Sequence, residues 1–262
     1  MGVPERRRMF EQIFDRYVRI NYFLKNTLLP LLYPRHCPVC NVLLPYGTFI
    51  CKKCEKKLPF ITEPTCFSCG KPISSAEQDY CYDCRIFPKS FHSGCSLLLY
   101  NGKTRPAMMS FKYENNRFLS QFFVREIIMR HRDLLQKWHP DAIIPIPIHK
   151  NKYKKRGYNQ AELLAKDLSV LLNLSYYPNI LIRSVDTLPQ KQFDPQARLN
   201  NLQKAFALNP RYQKLLPSFS SVLLIDDIYT TGATMEACTR ILLDGGVNSV
   251  YICSVCIGVS RD

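Results

Sequence analysis

Apolar and polar positions alternate differently on the two sides of Pro88 to Phe91. Beyond that point, apolar runs of strand length cover Ser96 to Tyr100, Ala142 to Ile148, Ser221 to Ile225 and Ser249 to Val255. Between them, Thr104 to Lys112 and Phe118 to Arg130 repeat apolar residues at helical spacing, and a further helical pattern follows Thr234. Strands alternating with helices predict an α/β fold with a parallel sheet flanked by helices. The run AIIPIPI carries proline at alternate positions, which suits a strand end better than a ladder interior. Before Pro88 the apolar runs are short and broken by cysteine pairs. Further upstream, Phe10, Ile13, Phe14, Tyr17 and Val18 stand at helical spacing behind Arg6, Arg7 and Arg8. That basic amphipathic helix can pack on its own protein and stop near Pro30, or lie on a membrane surface or a partner. Three regions result: a helix over residues 1–34, a cysteine-rich module over 35–88 and an α/β domain over 89–262.

The stretch SVLLIDDIYTTGATMEAC, Ser221 to Cys238, carries the most chemistry. A strand leads into paired carboxylates, Asp226 and Asp227, then into a turn of Thr230, Thr231, Gly232, Ala233 and Thr234 that opens a helix. The first N–H groups of a helix lack intrahelical partners and sit at the positive end of its dipole, so such a turn can wrap a phosphomonoester. Gly232 permits close backbone approach, and the threonine hydroxyls add donors. Carboxylates at the C-terminal end of a parallel strand accept from sugar hydroxyls. Phosphate on the turn and a diol on the acids describe a ribose 5-phosphate. The bland reading is a solvated acidic turn with Thr231 or Thr234 as N-cap. Strand, acid pair and T-T-G-x-T resemble the phosphoribosyl pyrophosphate (PRPP) motif of type I phosphoribosyltransferases.

Eight of the twelve cysteines form four C-x-x-C pairs: Cys37 and Cys40, Cys51 and Cys54, Cys66 and Cys69, Cys81 and Cys84. Each pair directs two thiolates at one tetrahedral ion, so eight ligands hold two metals, and closed all-thiolate coordination makes them structural. Zinc is the expected ion; an iron–sulfur cluster is the rival. The short spacers favour pairing consecutive motifs, with a cross-braced arrangement left open. Cys253 and Cys256 fall in a strand, where residues three apart face opposite sides, and read with Cys95 and Cys238 as buried thiols.

Charge then widens the picture. With 36 basic and 21 acidic residues the net charge is +15, a field that attracts nucleic acid, anionic lipid or a pyrophosphate. The densest run is HKNKYKKRGYNQ, which holds His149, Lys150, Lys152, Lys154, Lys155 and Arg156 and reads as a loop after a strand. It suits a pyrophosphate or, with Tyr153 and Tyr158 as stacking groups, single-stranded nucleic acid. Lys112, Tyr113 and Arg117 in FKYENNRF can contact pyrophosphate or a base, or form a solvated helix end. Asp186 to Phe206 is a long polar connection suited to a lid over the substrate. Metal-type cysteine usage, no apolar run long enough to span a bilayer and no secretory leader pattern predict a cytoplasmic protein, with a peripheral place at the inner membrane left open.

The four C-x-x-C pairs, then Y-N-G-K-x-R, F-K-Y, P-I-P-I-H, R-G-Y-N-Q-A, T-L-P-Q, R-L-N-N and I-D-D-I-Y-T-T-G-A-T, together resemble the ComF family. The resemblance implies a double zinc ribbon joined to a type I phosphoribosyltransferase-like domain. It also implies a cytoplasmic role in natural transformation and DNA uptake, with single-stranded DNA and competence-machinery proteins as partners. By the same resemblance Asp226 and Asp227 are catalytic and hold the ribose diol, and Thr230, Thr231, Gly232, Ala233 and Thr234 hold the 5-phosphate. His149, Lys150 and Arg156 flank the pyrophosphate, and Mg2+ accompanies PRPP. Lys152 and Tyr158 stand where the family has arginine and phenylalanine. Transfer of the phosphoribosyl group to an unidentified acceptor is the expected activity. Its alternative is a PRPP-responsive regulator or DNA-binding protein without catalysis.

Overall fold

A computed structural model describes residues 35–45, 47–184 and 204–258. The expected N-terminal helix and most of the expected lid lie outside the described residues. Two compact units divide the chain, one ending at Lys56 and the other beginning at Lys57. The first contains the short helix α1 (Lys52–Glu55). The second opens with α2 (Tyr82–Ile86) and continues as an α/β domain.

Its sheet is built from β1 (Ser93–Leu99), β2 (Ala142–Pro145), β3 (Ser175–Tyr176), β6 (Ser221–Tyr229) and β7 (Ser249–Ile257), in the order β1-β7-β6-β2-β3. All four pairings are parallel. A separate antiparallel pair joins β4 (Leu181–Arg183) to β5 (Phe206–Leu208). Helices α3 (Arg105–Tyr113), α4 (Leu119–Trp138), α5 (Lys150–Arg156), α6 (Gln160–Leu172) and α7 (Ala233–Asp244) make the connections. The central strands are buried on both faces, as parallel strands covered by helices must be. Val222 and Leu224 join Ala237, Cys238 and Leu242 of α7 in one cluster, whereas Leu223 and Ile225, also buried, alternate to the other side.

Strand order places the site. From β2 the chain moves outward to β3, then returns to β6 on the other side of β2 and continues to β7, so β2 and β6 flank the switch point where open α/β sheets bind ligands. Several expected boundaries shift. β6 runs through both aspartates to Tyr229 instead of stopping at Ile225, because β7 continues alongside and pairs Asp226 with Ser254 and Tyr229 with Ile257. β2 ends at Pro145, after which the Ile146 amide makes one more bond, to the Ile225 carbonyl at 2.9 Å. The basic run expected as a loop is the helix α5, started by His149, whose Nδ1 accepts from the Asn151 N–H, and stopped by Gly157 at φ 77°. A run of basic residues has no apolar stripe to announce it.

Candidate functional site

The two cysteine sites share one local design. In the first, the Asn41 amide donates to the Cys37 carbonyl and the Cys37 amide to that of Val42, both at 2.8 Å. In the second, the Gly70 amide donates to the Cys66 carbonyl at 2.9 Å and the Cys66 amide to that of Lys71 at 2.7 Å. Asn41 and Gly70 take left-handed backbone, φ 61° and 71°, which turns each knuckle back on itself. The signal was present in the sequence, because asparagine or glycine follows the second cysteine of each knuckle. The second pair of each site enters a helix at Cys51 or Cys81. Sulfurs of Cys37, Cys40, Cys51 and Cys54 lie within 4.8 Å of one another, as do those of Cys66, Cys69, Cys81 and Cys84. Consecutive motifs therefore pair. Cys40 and Cys51 sulfurs are 3.6 Å apart and those of Cys69 and Cys81 3.7 Å, close to the roughly 3.8 Å edge of a tetrahedron with zinc–sulfur bonds of about 2.3 Å. Two four-thiolate sites fit two structural zinc ions.

At the switch point, Gly232 adopts φ 74° and is the N-cap of α7, with no side chain capping the helix. The first intrahelical bond is from the Glu236 amide to the Gly232 carbonyl, so the amides of Ala233, Thr234 and Met235 point out of the helix end. Thr230 and Thr231 are exposed, Thr234 half-buried, and Gly232 and Ala233 buried. Asp226 is half-buried and accepts the Asp227 amide at 2.8 Å. Burial and the neighbouring Asp227 charge push the Asp226 carboxyl up to about 7, against the opposing pull of the Asp227 amide, Lys112 and Arg183. Asp227 is buried and lies 2.9 Å from Lys112 Nζ. Burial draws the Lys112 pKa down, but the charges of Asp227 and Asp226 outweigh it and raise it above its ordinary value. An ammonium group thus sits beside one of the acids.

A polar frame holds these elements together. The Asn159 side chain donates to the Ile146 carbonyl at 2.9 Å, fixing the turn after β2. Gln160 and Tyr158 both donate to the Phe111 carbonyl, locking the end of α3 that bears Lys112. The extra hydroxyl of Tyr158, absent from phenylalanine, is satisfied there. Arg156 donates to Gln160 at 2.9 Å and to the Tyr113 hydroxyl at 3.2 Å, with its guanidinium 5.1 Å from the Tyr113 ring. Arg117 lies over the Tyr158 ring at 4.6 Å. His149 is buried as the cap of α5, whereas Lys150 is exposed. Asp226, Asp227, the Thr230 to Thr234 turn, Lys112 and the His149 to Arg156 helix thus all attach to the switch-point end of β2 and β6. Cys95, Cys238, Cys253 and Cys256 are buried thiols, as their strand and helix positions predict.

A family model described as a double zinc ribbon domain matches residues 28–85. The chain is 28% identical to competence protein F of Haemophilus influenzae, over 78% of this chain and 88% of that protein. It is 26% identical to DNA utilization protein YhgH of Escherichia coli, over 86% of this chain and 98% of that protein. Identity to competence protein ComFC of Bacillus subtilis is 28%, over 75% of this chain and 79% of that protein. No helix among the described residues is long and apolar enough to cross a membrane. In its double zinc ribbon and over most of its length the chain is thus similar to the competence protein F, ComFC and YhgH proteins, as its resemblance to the ComF family leads one to expect.

Proposed function

We propose that this protein acts in DNA uptake and binds PRPP with Mg2+ at the β2/β6 switch point, transferring its phosphoribosyl group. The relatives' names support the first part. The observation that carries the second is the left-handed Gly232, which opens a helix without a side-chain cap five residues after Asp227. In this reading the amides of Ala233, Thr234 and Met235 and the hydroxyls of Thr230, Thr231 and Thr234 receive the 5-phosphate. Asp226 and Asp227 accept from the ribose hydroxyls, and Lys112, Lys150, Arg156 and His149 border the pyrophosphate. Asp226 and Asp227 offer the oxygen-only donors that Mg2+ takes, with Lys112, 2.9 Å from Asp227, as the cation that it would have to displace or share, and Mg2+ when bound would neutralise pyrophosphate. As the acceptor bonds to C1, the C1–oxygen bond breaks and pyrophosphate leaves with the electron pair. Titrating PRPP and Mg2+ into wild type and into Asp226→Ala/Asp227→Ala by calorimetry tests this, with a loss of about a hundredfold or more expected in the variant. Equal binding by both, or none by wild type, would defeat the reading. Binding without turnover would leave a PRPP-responsive regulator.

Exposed aromatic side chains support single-stranded DNA as a partner. Phe67 and Tyr80 meet edge to face at 6.4 Å, and Tyr82 and Phe87 are also exposed near Arg85 in a chain of charge +15. Bases stack on such rings while cations follow the backbone. The expected affinity falls steeply with salt. Salt-insensitive binding, or none, would remove DNA from the list of partners.

A further inference from the structure

Tyr229 joins the second cysteine site to the phosphate turn. It closes β6 with 4% of its surface exposed. A Cβ built on Gly232 would fall 2.1 Å from the Tyr229 hydroxyl and 2.5 Å from Cζ, so ring and hydroxyl fill the space against that glycine. The other side of the ring environment belongs to the ribbon. Tyr229 meets Phe91 edge to face at 6.4 Å, and both share one buried cluster with Cys66, Cys69, Cys81, Cys84, Ala233 and Met235. A second tie runs parallel: Glu236 in the first turns of α7 accepts from the Ser90 amide at 2.8 Å and its hydroxyl at 2.7 Å.

We propose that Tyr229 is a positioning residue for the Thr230 to Thr234 turn, held in place by the zinc of Cys66, Cys69, Cys81 and Cys84. Phosphate binding then depends on the second zinc and not on the first. The inference rests on the ribose-phosphate reading of the turn. A close-packed interior transmits displacement because it has few voids to absorb it. A filled four-thiolate site fixes the ribbon face, the face fixes the ring, and the ring sets the path of Gly232. Without the ring, the three outward amides lose their common focus.

The test uses the full chain, with PRPP and Mg2+ as the probe, and measures calorimetric affinity, zinc content and melting temperature for Tyr229→Leu, Tyr229→Phe and Cys40→Ser. Tyr229→Leu should weaken binding about tenfold or more while keeping both zincs, and Tyr229→Phe, which retains the ring, should stay within about threefold. Cys40→Ser should lose one zinc and bind as wild type. Unchanged affinity in Tyr229→Leu, or an equal loss in Cys40→Ser, overturns the inference while leaving the phosphate site intact. No binding by wild type overturns the ribose-phosphate reading and the inference with it. If Tyr229→Leu does not fold, stepwise chelation of wild type decides, read by exchange of the Glu236 amide, which bonds the Gly232 carbonyl at 2.8 Å. Exchange rising there with loss of the second zinc while the β6 and β7 amides stay protected supports the coupling; exchange that ignores that loss, or that rises equally across the sheet, removes it.

Discussion

The two cysteine sites have the same ligands and the same knuckle, yet they sit in different company. In the first, Cys40 is exposed, Cys51 half-buried, and Gly47 in the following turn has open space around it. In the second, all four cysteines are buried within the cluster that includes Phe91, Tyr229 and Met235. Lys71 is buried there as well, with its ammonium paired to Asp83 at 2.5 Å. Motif chemistry sets the coordination; surroundings decide what the metal supports. The first zinc organises its own short unit, whereas the second is part of the α/β core.

The largest effect that can break this contrast comes from removing one ligand in each site. Structural zinc contributes about 10–16 kcal/mol of folding energy in small domains, comparable with or above the roughly 5–15 kcal/mol that keeps a whole domain folded. Cys69→Ser should therefore lose one zinc and lower the melting temperature of the unit that begins at Lys57 steeply. Cys40→Ser should cost one zinc and leave the melting of the sheet unchanged. Elemental analysis with circular dichroism melting distinguishes the two, and equal losses of sheet would erase the distinction.

A matched glycine pair probes packing without touching a ligand. Gly47 and Gly70 both have left-handed backbone, φ 78° and 71°, so alanine strains each by about 1–2 kcal/mol. Only Gly70 is crowded: a Cβ there would lie 2.6 Å from the Gly94 carbonyl oxygen and 2.8 Å from the Cys95 Cα. Backbone atoms cannot rotate away. Gly70→Ala should cost about 3–4 kcal/mol in denaturant unfolding, against about 1–2 for Gly47→Ala. Similar costs would mean that the second knuckle is no more tightly seated than the first.

How legible this was from the chain depended on distance in sequence. The two cysteine quartets, the acid pair and the turn at Thr230 to Thr234 were legible because each is set by residues close together and by side chains with few chemical uses. The α/β class followed from periodicity. The helix at Lys150–Arg156 was not legible, since it has no apolar stripe and is defined by its caps, His149 and Gly157. Nor was the extension of β6 through Asp226 and Asp227, which depends on β7 running alongside. Lys112 stood among the candidates, but only the fold brings it across 115 positions to Asp227. Ser90 and Glu236 were missed altogether, because a serine and a helix glutamate 146 residues apart carry no local sign of meeting.

The smallest effect sharpens the comparison by asking what stays independent of the first site. The Asp226 carboxyl has a pKa of about 7 in the folded chain against an ordinary 3.8, chiefly through burial. The folded protein then binds that proton more tightly than the unfolded chain does, so this group favours folding at acid pH. Its contribution is lost as pH rises from the ordinary carboxylate range to about 7 and is constant above it. Binding that uses the ionised carboxylate moves the other way. PRPP affinity should fall about tenfold for each pH unit below about 7 and level off above it. Asp226→Asn should flatten that dependence while weakening binding throughout. Since Asp226 belongs to the sheet unit, Cys40→Ser should reproduce the wild-type profile, measured by calorimetry at the same series of pH values. A profile displaced by Cys40→Ser would show that the first site reaches the acid pair after all, and the separation between the two sites would fail at the very place where it was meant to be cleanest.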